Sequence, residues 1–335
     1  MANKKIKVFV TRQIPDEGIK MLKKRKNIQV SIYKKDRKIP RAELLRRVKG
    51  IDVLISLLTE RIDAKVFDAA GPNLKMVANY AVGFDNIDLA EAAKRGIAVS
   101  NTPSAEVSET VAEHTVALLF ALAHRIVEVD NFTREGKYHG WGPQMFLGQD
   151  VIGKTLGVIG TGRIGTHLVR RMHDGFGLNI VYTDIARNKD LEKKYGAKYL
   201  SKMQLLKKAD FVSLHVPLLP STRHLISTKE LKAMKPNALL INTSRGPVID
   251  ELALVKALEK KQIAGAGLDV YECEPAIDCD LSDTHELRKL NNVILTPHTA
   301  SATIEARQAM SRTAAVNVLA YLDGKRMPNR VRPKK

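Results

Sequence analysis

Short apolar runs alternate with helical stretches along almost the whole chain, and this alternation limits the fold more than any other feature. The first block has runs at Ile6–Val10, Ile28–Ile32, Val53–Ser56, Met76–Asn79 and Ile97–Val99. Between them stand helix punctuation marks. Pro15 precedes Asp16 and Glu17, Asp63 and Asp88 occupy cap positions, and Gly71 and Gly96 mark stops. A second block repeats the rhythm at Leu156–Ile159, Ile180–Thr183, Phe211–Leu214, Ala238–Asn242, Ala266–Val270 and Val293–Leu295. Strand–helix alternation of this kind predicts parallel sheets covered by helices on both faces. Between the blocks, Val111, Thr115, Leu118, Leu122, Ile126 and Val129 recur at three- and four-residue spacing, predicting one long helix from Ala105 to Val129. A last helix is expected from about Ser301 to Leu322.

A chain of 335 residues with 44% apolar content has room for two cores, which excludes disordered and disulfide-scaffold classes. The longest apolar run, Val116–Ala123, is far below the roughly 18 residues of a membrane span, so no membrane is expected. The start, MANKKIKVFV, lacks the apolar length of a secretory signal. Two cysteines, Cys273 and Cys279, suit a reducing cytoplasm and offer no four-ligand metal site. Residues 1–50 hold 17 Lys/Arg against 4 Asp/Glu, and residues 325–335 hold 6 against none, which accounts for the whole net charge of +19. These ends read as solvated basic faces, with steering of small anions as the alternative. No aromatic residues interleave with them as a base-stacking platform requires, so no nucleic-acid partner is expected.

The strand Leu156–Ile159 runs straight into Gly160-Thr161-Gly162-Arg163-Ile164-Gly165 and then a helix. This is the dinucleotide fingerprint in its strand–turn–helix context. Gly160 permits the tight turn, Gly162 lets a pyrophosphate approach the backbone, and Gly165 allows close helix–strand packing. Asp184 ends the next strand nineteen residues after Gly165, where a carboxylate accepts from ribose hydroxyls and repels a 2′-phosphate. NADH is therefore expected before NADPH, with nearby Arg187 and Lys189 softening the preference. Three further strand ends reach the same sheet edge: INTSRG at 241–246, LDVYECEP at 268–275 and LTPH at 295–298. Arg245, a carboxylate and His298 delivered to one crevice make a set for carbonyl reduction, the cation holding an anionic substrate and the imidazole moving the proton. Glu272 and Glu274 compete for the carboxylate role. His215, in LHVP at 214–217, suits a place beside the cofactor. The other seven histidines read as surface or packing residues, and Cys273, flanked by acids, reads as structural.

With NYAVGFDNID at 79–88, GTGRIG, NTSRG, DVYECEP and TPH, the sequence resembles the D-isomer-specific 2-hydroxyacid dehydrogenase family over nearly its whole length. The resemblance implies two β/α domains: a Rossmann-type NAD domain, residues 104–298, inserted into a flavodoxin-like substrate domain made of residues 1–103 plus 299–335. It implies Arg245, Glu274 and His298 as the catalytic set, with Glu274 preferred over Glu272. Arg163, Ile164, Val216, Pro217, Thr243 and Asp269 would line the NAD(H) site, Asp269 near the nicotinamide carboxamide. Backbone N–H groups around Val82 and Gly83 would receive the substrate carboxylate. WGPQMFLG at 141–148 and Ser301-Ala302-Thr303 are similar to glyoxylate and hydroxypyruvate reductases, which implies a small 2-oxo acid substrate, a homodimer, and Trp141 bordering the neighbour's substrate pocket. An indole packed on its own subunit is the alternative for Trp141. D-lactate and D-3-phosphoglycerate dehydrogenases are rival activities, and a nicotinamide-sensing transcriptional corepressor is the rival from outside the enzymes.

Overall fold

The apolar runs become strands because each is short, β-branched and bounded by turn residues. The computed structural model describes residues 5–274 and 285–333. Its strands are β1 (Ile6–Val10), β2 (Ile28–Ile32), β3 (Val53–Leu57), β4 (Met76–Tyr80), β5 (Ala98–Ser100), β6 (Thr155–Ile159), β7 (Asn179–Thr183), β8 (Lys198–Tyr199), β9 (Phe211–Leu214), β10 (Leu239–Asn242), β11 (Gly265–Leu268), β12 (Val293–Leu295) and β13 (Arg330–Val331). The described chain divides into two compact units, residues 5–107 with 302–333 and residues 108–274 with 285–301.

In the first unit the strand order is β13-β5-β4-β3-β1-β2. All neighbours are parallel except β13, which returns antiparallel on β5. Asp63 and Asp88 cap the helices Ala64–Ala70 and Leu89–Lys94, accepting from the N–H groups of Val66 and Glu91. The helix Asp16–Lys23 lies against the final helix, Ile304–Leu322, closely enough that a Cβ on Gly18 would fall 2.0 Å from the Ser311 carbonyl oxygen. Ser311 Oγ donates to the Pro15 carbonyl at 2.5 Å and accepts from Gly18 N–H at 3.1 Å. Arg25 forks onto Asp323 at 2.5 and 2.8 Å, so the basic beginning and basic end of the chain are fastened together within this unit.

The second unit holds a seven-stranded sheet, all parallel, ordered β12-β11-β10-β9-β6-β7-β8. The order reverses between β6 and β9. Ligands of such sheets bind outside the carboxyl ends of the strands at that switch point. Buried aliphatic side chains such as Leu205, Val212 and Leu240 fill one face, and Leu119, Val158 and Leu168 the other.

Where one long helix is predicted over Ala105–Val129, two form: Ala105–Ala123 and Ile126–Arg134, bent by 62°. The cause lies later in the chain. Gln149 N–H donates to the Ala123 carbonyl at 2.9 Å, and a Cβ on Gly148 would lie 2.3 Å from that same oxygen. The returning segment thus caps the first helix. Arg125 turns the chain in a left-handed conformation (φ 54°), held by its fork onto Glu128 and its stacking over Phe146. Among the described residues no single helix is long and apolar enough to cross a membrane, although the bent pair together meets that length and composition.

Candidate active site

At the end of β6 the chain turns through Gly160 at φ 94°, a region that favours glycine. A Cβ there would also lie 2.5 Å from the His215 carbonyl oxygen. Gly165 is backed by the Gly160 carbonyl, whereas the space beside Gly162 is open. Arg163 and Ile164 begin the helix Arg163–Phe176, whose N-terminus has no side-chain cap. Asp184, at the end of β7, accepts from Thr161 N–H at 2.7 Å and Thr161 Oγ at 3.0 Å through one oxygen, and from Ile185 N–H through the other. That second oxygen keeps acceptor capacity for a hydroxyl. A cavity of about 440 Å³ opens here, with Thr161, Asp184, Arg187 and Asn188 in its walls. An open cradle for phosphates beside a fixed carboxylate fits a dinucleotide. Val216 and His215 pack beneath the turn, and Thr222 Oγ donates to the Pro217 carbonyl. His215 Nε2 lies 2.8 Å from Ser213 Oγ, and burial pushes the imidazole down to about 3, so it stays neutral.

Arg245 follows β10. A Cβ on the next residue, Gly246, would lie 1.7 Å from the Tyr271 carbonyl oxygen, so only glycine lets the β10 loop approach the β11 loop this closely. Asn242 Nδ2 donates to the Arg245 carbonyl and the Arg245 guanidinium donates to the Ser244 carbonyl. Beyond β11, Glu274 Oε2 lies 2.8 Å from His298 Nδ1. Glu272 points elsewhere: it bonds His224 Nε2 at 2.6 Å and accepts from Glu251 N–H. Two carboxylates two residues apart are thus given different partners by the turn between them.

His298 itself is left-handed (φ 55°), a conformation that costs a non-glycine residue about 1–2 kcal/mol. Asp269 holds it there. The Asp269 carbonyl accepts from His298 N–H at 2.9 Å, and its carboxylate accepts from Thr296 Oγ at 2.6 Å and from the N–H groups of Thr299 and Ala300 at 2.8 Å each. Burial pushes this carboxyl upward, but the hydrogen bonds of His114, Thr296, Thr299 and Ala300 outweigh it and leave it below the usual aspartate range. His114, read from sequence as packing or surface, comes 3.1 Å from Thr296 Oγ and belongs to this network. Its signal in the sequence is indirect: a polar side chain on an otherwise apolar helix face. Thr243 turns its hydroxyl to Thr115 at 3.0 Å.

In the first unit, Val82 and Gly83 follow β4. The Val82 carbonyl accepts from Asn101 Nδ2 at 2.6 Å and the Gly83 carbonyl from Asn79 Nδ2 at 2.9 Å. Asn79 is itself buried against Ser56 and Asn86, so the turn is fixed from below. Trp141, by contrast, is 81% exposed, which overturns packing on its own subunit. Cys273 is buried; Cys279 lies outside the described residues. Among the described residues no group of His, Cys, Asp and Glu is arranged to hold a metal ion.

Residues 116–300 match the family model described as D-isomer specific 2-hydroxyacid dehydrogenase, NAD binding domain. Over 331 residues, 98% of this chain and 97% of the relative, the sequence is 49% identical to a glyoxylate reductase of Thermococcus litoralis. A glyoxylate reductase of Korarchaeum cryptofilum is 48% identical over 98% of this chain and 96% of its own. Among solved structures, a Thermus thermophilus protein superposes with a TM-score of 0.89 at 40% identity, covering 97% of this chain and all of that one. The fingerprint turn and these full-length likenesses agree: the chain belongs to the D-isomer-specific 2-hydroxyacid dehydrogenases.

Proposed function

We propose that this protein reduces glyoxylate to glycolate, using NADH before NADPH, with Arg245, Glu274 and His298 as its working residues. The observation that carries this reading is the 2.8 Å Glu274–His298 pair, beyond β11 and β12, next to the β10 that carries Arg245 on the sheet that bears the Gly160 turn. The two glyoxylate reductase relatives support the choice of substrate. A nicotinamide dinucleotide bound at that turn would supply the hydride. The chain's own part is charge and a proton. Arg245 pairs with the substrate carboxylate and draws electron density toward the carbonyl oxygen. With Nδ1 engaged by Glu274, His298 presents Nε2, whose proton passes to that oxygen and makes the hydroxyl of glycolate. Glu274 supports the imidazolium before transfer and fixes the ring. Incubation with glyoxylate and NADH should yield glycolate equal to the NADH consumed; absence of glyoxylate-dependent consumption would refute the assignment.

The same reading makes the enzyme a cytoplasmic homodimer. Ile126, Val127, Tyr138, Trp141, Met145, Leu147 and Ile152 are all exposed within 27 residues of chain, more apolar surface than a lone subunit usually leaves open. Trp141 would then border the neighbour's substrate pocket. Dilution into monomers should change Trp141 fluorescence and raise KM together, whereas a fully active monomer with unchanged fluorescence would remove the dimer from the account.

A further inference from the structure

The cavity beside Asp184 is lined by two cations, Arg187 and Lys189, that sequence alone assigns to softening the cofactor preference. Arg187 stands three residues after the ribose carboxylate, where an arginine ordinarily accommodates a 2′-phosphate. Its guanidinium is committed elsewhere. Nε donates to Glu192 Oε1 at 2.9 Å and Nη2 to Oε2 at 2.7 Å, a two-toothed fork, while its other side lies 5.9 Å from the centre of the Tyr199 ring.

Glu192 is no casual surface partner. Tyr182, a fully buried residue of β7, donates its hydroxyl to Glu192 Oε1 at 2.6 Å. That hydroxyl in turn accepts from Asn188 N–H at 2.7 Å. Asn188 caps the helix Lys189–Tyr195 that carries Glu192, and its amide donates to the Thr161 carbonyl in the fingerprint turn. The carboxylate is therefore held from the core side by Tyr182 and from its own helix, so its position does not depend on Arg187.

We infer that Glu192 is a specificity-determining residue: by occupying Arg187 it denies a 2′-phosphate its cation, and so reinforces the exclusion that Asp184 begins. This rests on the reading of the cavity as the adenosine-ribose site of a dinucleotide. A 2′-phosphate must either displace Glu192 from the fork or approach two carboxylates with Arg187 withheld and Lys189 as the remaining cation of the cavity wall. A ribose bearing a free 2′-hydroxyl meets neither obstacle. The device rejects the wrong ligand rather than adding contacts to the right one.

Dissociation constants of NAD⁺ and NADP⁺, measured by calorimetry without substrate, test this directly. Glu192→Gln keeps the shape and the Tyr182 hydrogen bond but releases the charge. Binding of NADP⁺ should tighten roughly fivefold or more, about 1 kcal/mol at 1.4 kcal/mol per tenfold, while NAD⁺ binding stays within twofold. In the Glu192→Gln, Arg187→Ala double variant the gain should vanish, because it is Arg187 that is freed. An unchanged NADP⁺ to NAD⁺ ratio in Glu192→Gln, with NAD⁺ still bound, would overturn the inference alone. Persistence of the gain without Arg187 would overturn it too. Failure of the folded wild-type protein to bind either dinucleotide would instead sink the reading of the cavity.

Discussion

Two carboxylate–cation pairs stand at the strand ends of the seven-stranded sheet, and they do opposite things. Past β11 and β12, Glu274 faces His298, the group proposed to pass a proton to the substrate. Past β7, Glu192 faces Arg187, whose charge is permanent. A carboxylate beside a titratable ring sets when the proton moves. One beside a guanidinium can only decide what else that guanidinium touches. The pairs have similar distances, 2.8 and 2.7 Å, so in the proposed account the cation rather than the geometry divides catalysis from selection.

The comparison can be broken most severely at the substrate cation. Truncating one partner of a buried charge pair costs about 2–5 kcal/mol. Arg245→Ala should therefore lower kcat/KM for glyoxylate roughly 30-fold to several thousandfold, with NAD⁺ affinity kept; steady-state kinetics beside calorimetry would separate the two. Glu274→Gln leaves an oxygen to accept from His298 Nδ1 but removes its charge; the gap between a charged and a neutral hydrogen bond, about 1–2 kcal/mol, should slow turnover roughly 5–30-fold. Glu272→Gln should leave kcat within about threefold, because its contacts are His224 and the Glu251 N–H. Equal losses in the two glutamine variants would erase the distinction that the turn draws between them.

A smaller effect sharpens the other pair. Asp184→Ser alone should improve NADP⁺ binding less than Asp184→Ser with Glu192→Gln, by about fivefold, since Arg187 is released only in the second. The smallest effect concerns His215 under the fingerprint turn. Its folded value of about 3 lies below the ordinary 6.5. Between those values the unfolded chain binds the proton and the folded chain does not, so stability falls as pH falls below 6.5. At pH 5 the loss should be about 1–2 kcal/mol, read as a smaller urea-unfolding free energy, and His215→Gln should remove most of that pH dependence.

The strand–turn–helix at Gly160 is legible in the sequence because its signals are local: an apolar run, glycines at fixed spacing and a helix behind them. The helix break at Arg125 is not, because its cause is the Gly148–Gln149 backbone docking onto Ala123 some 25 residues later. β8 and β13 escape notice for another reason. Each is two residues long at a sheet edge, and neither Lys198–Tyr199 nor Arg330–Val331 has an alternating pattern long enough to read. At the site, residue types and strand ends are readable from spacing. The choice between Glu272 and Glu274 rests on a turn that spacing does not describe, and Glu192 is invisible as a partner because it lies in a polar helix rich in lysine. The Asp269 network is hidden likewise, since its donors come from a helix and a loop far apart in sequence.

Everything proposed for the reaction turns on His298, held by Glu274, delivering the proton to glyoxylate. Single-turnover oxidation of bound NADH by glyoxylate, compared between the wild type and His298→Ala, tests this most directly. The variant's rate should be lower by roughly 10²–10⁴-fold with NADH affinity nearly unchanged. A variant rate within tenfold of the wild type would contradict it.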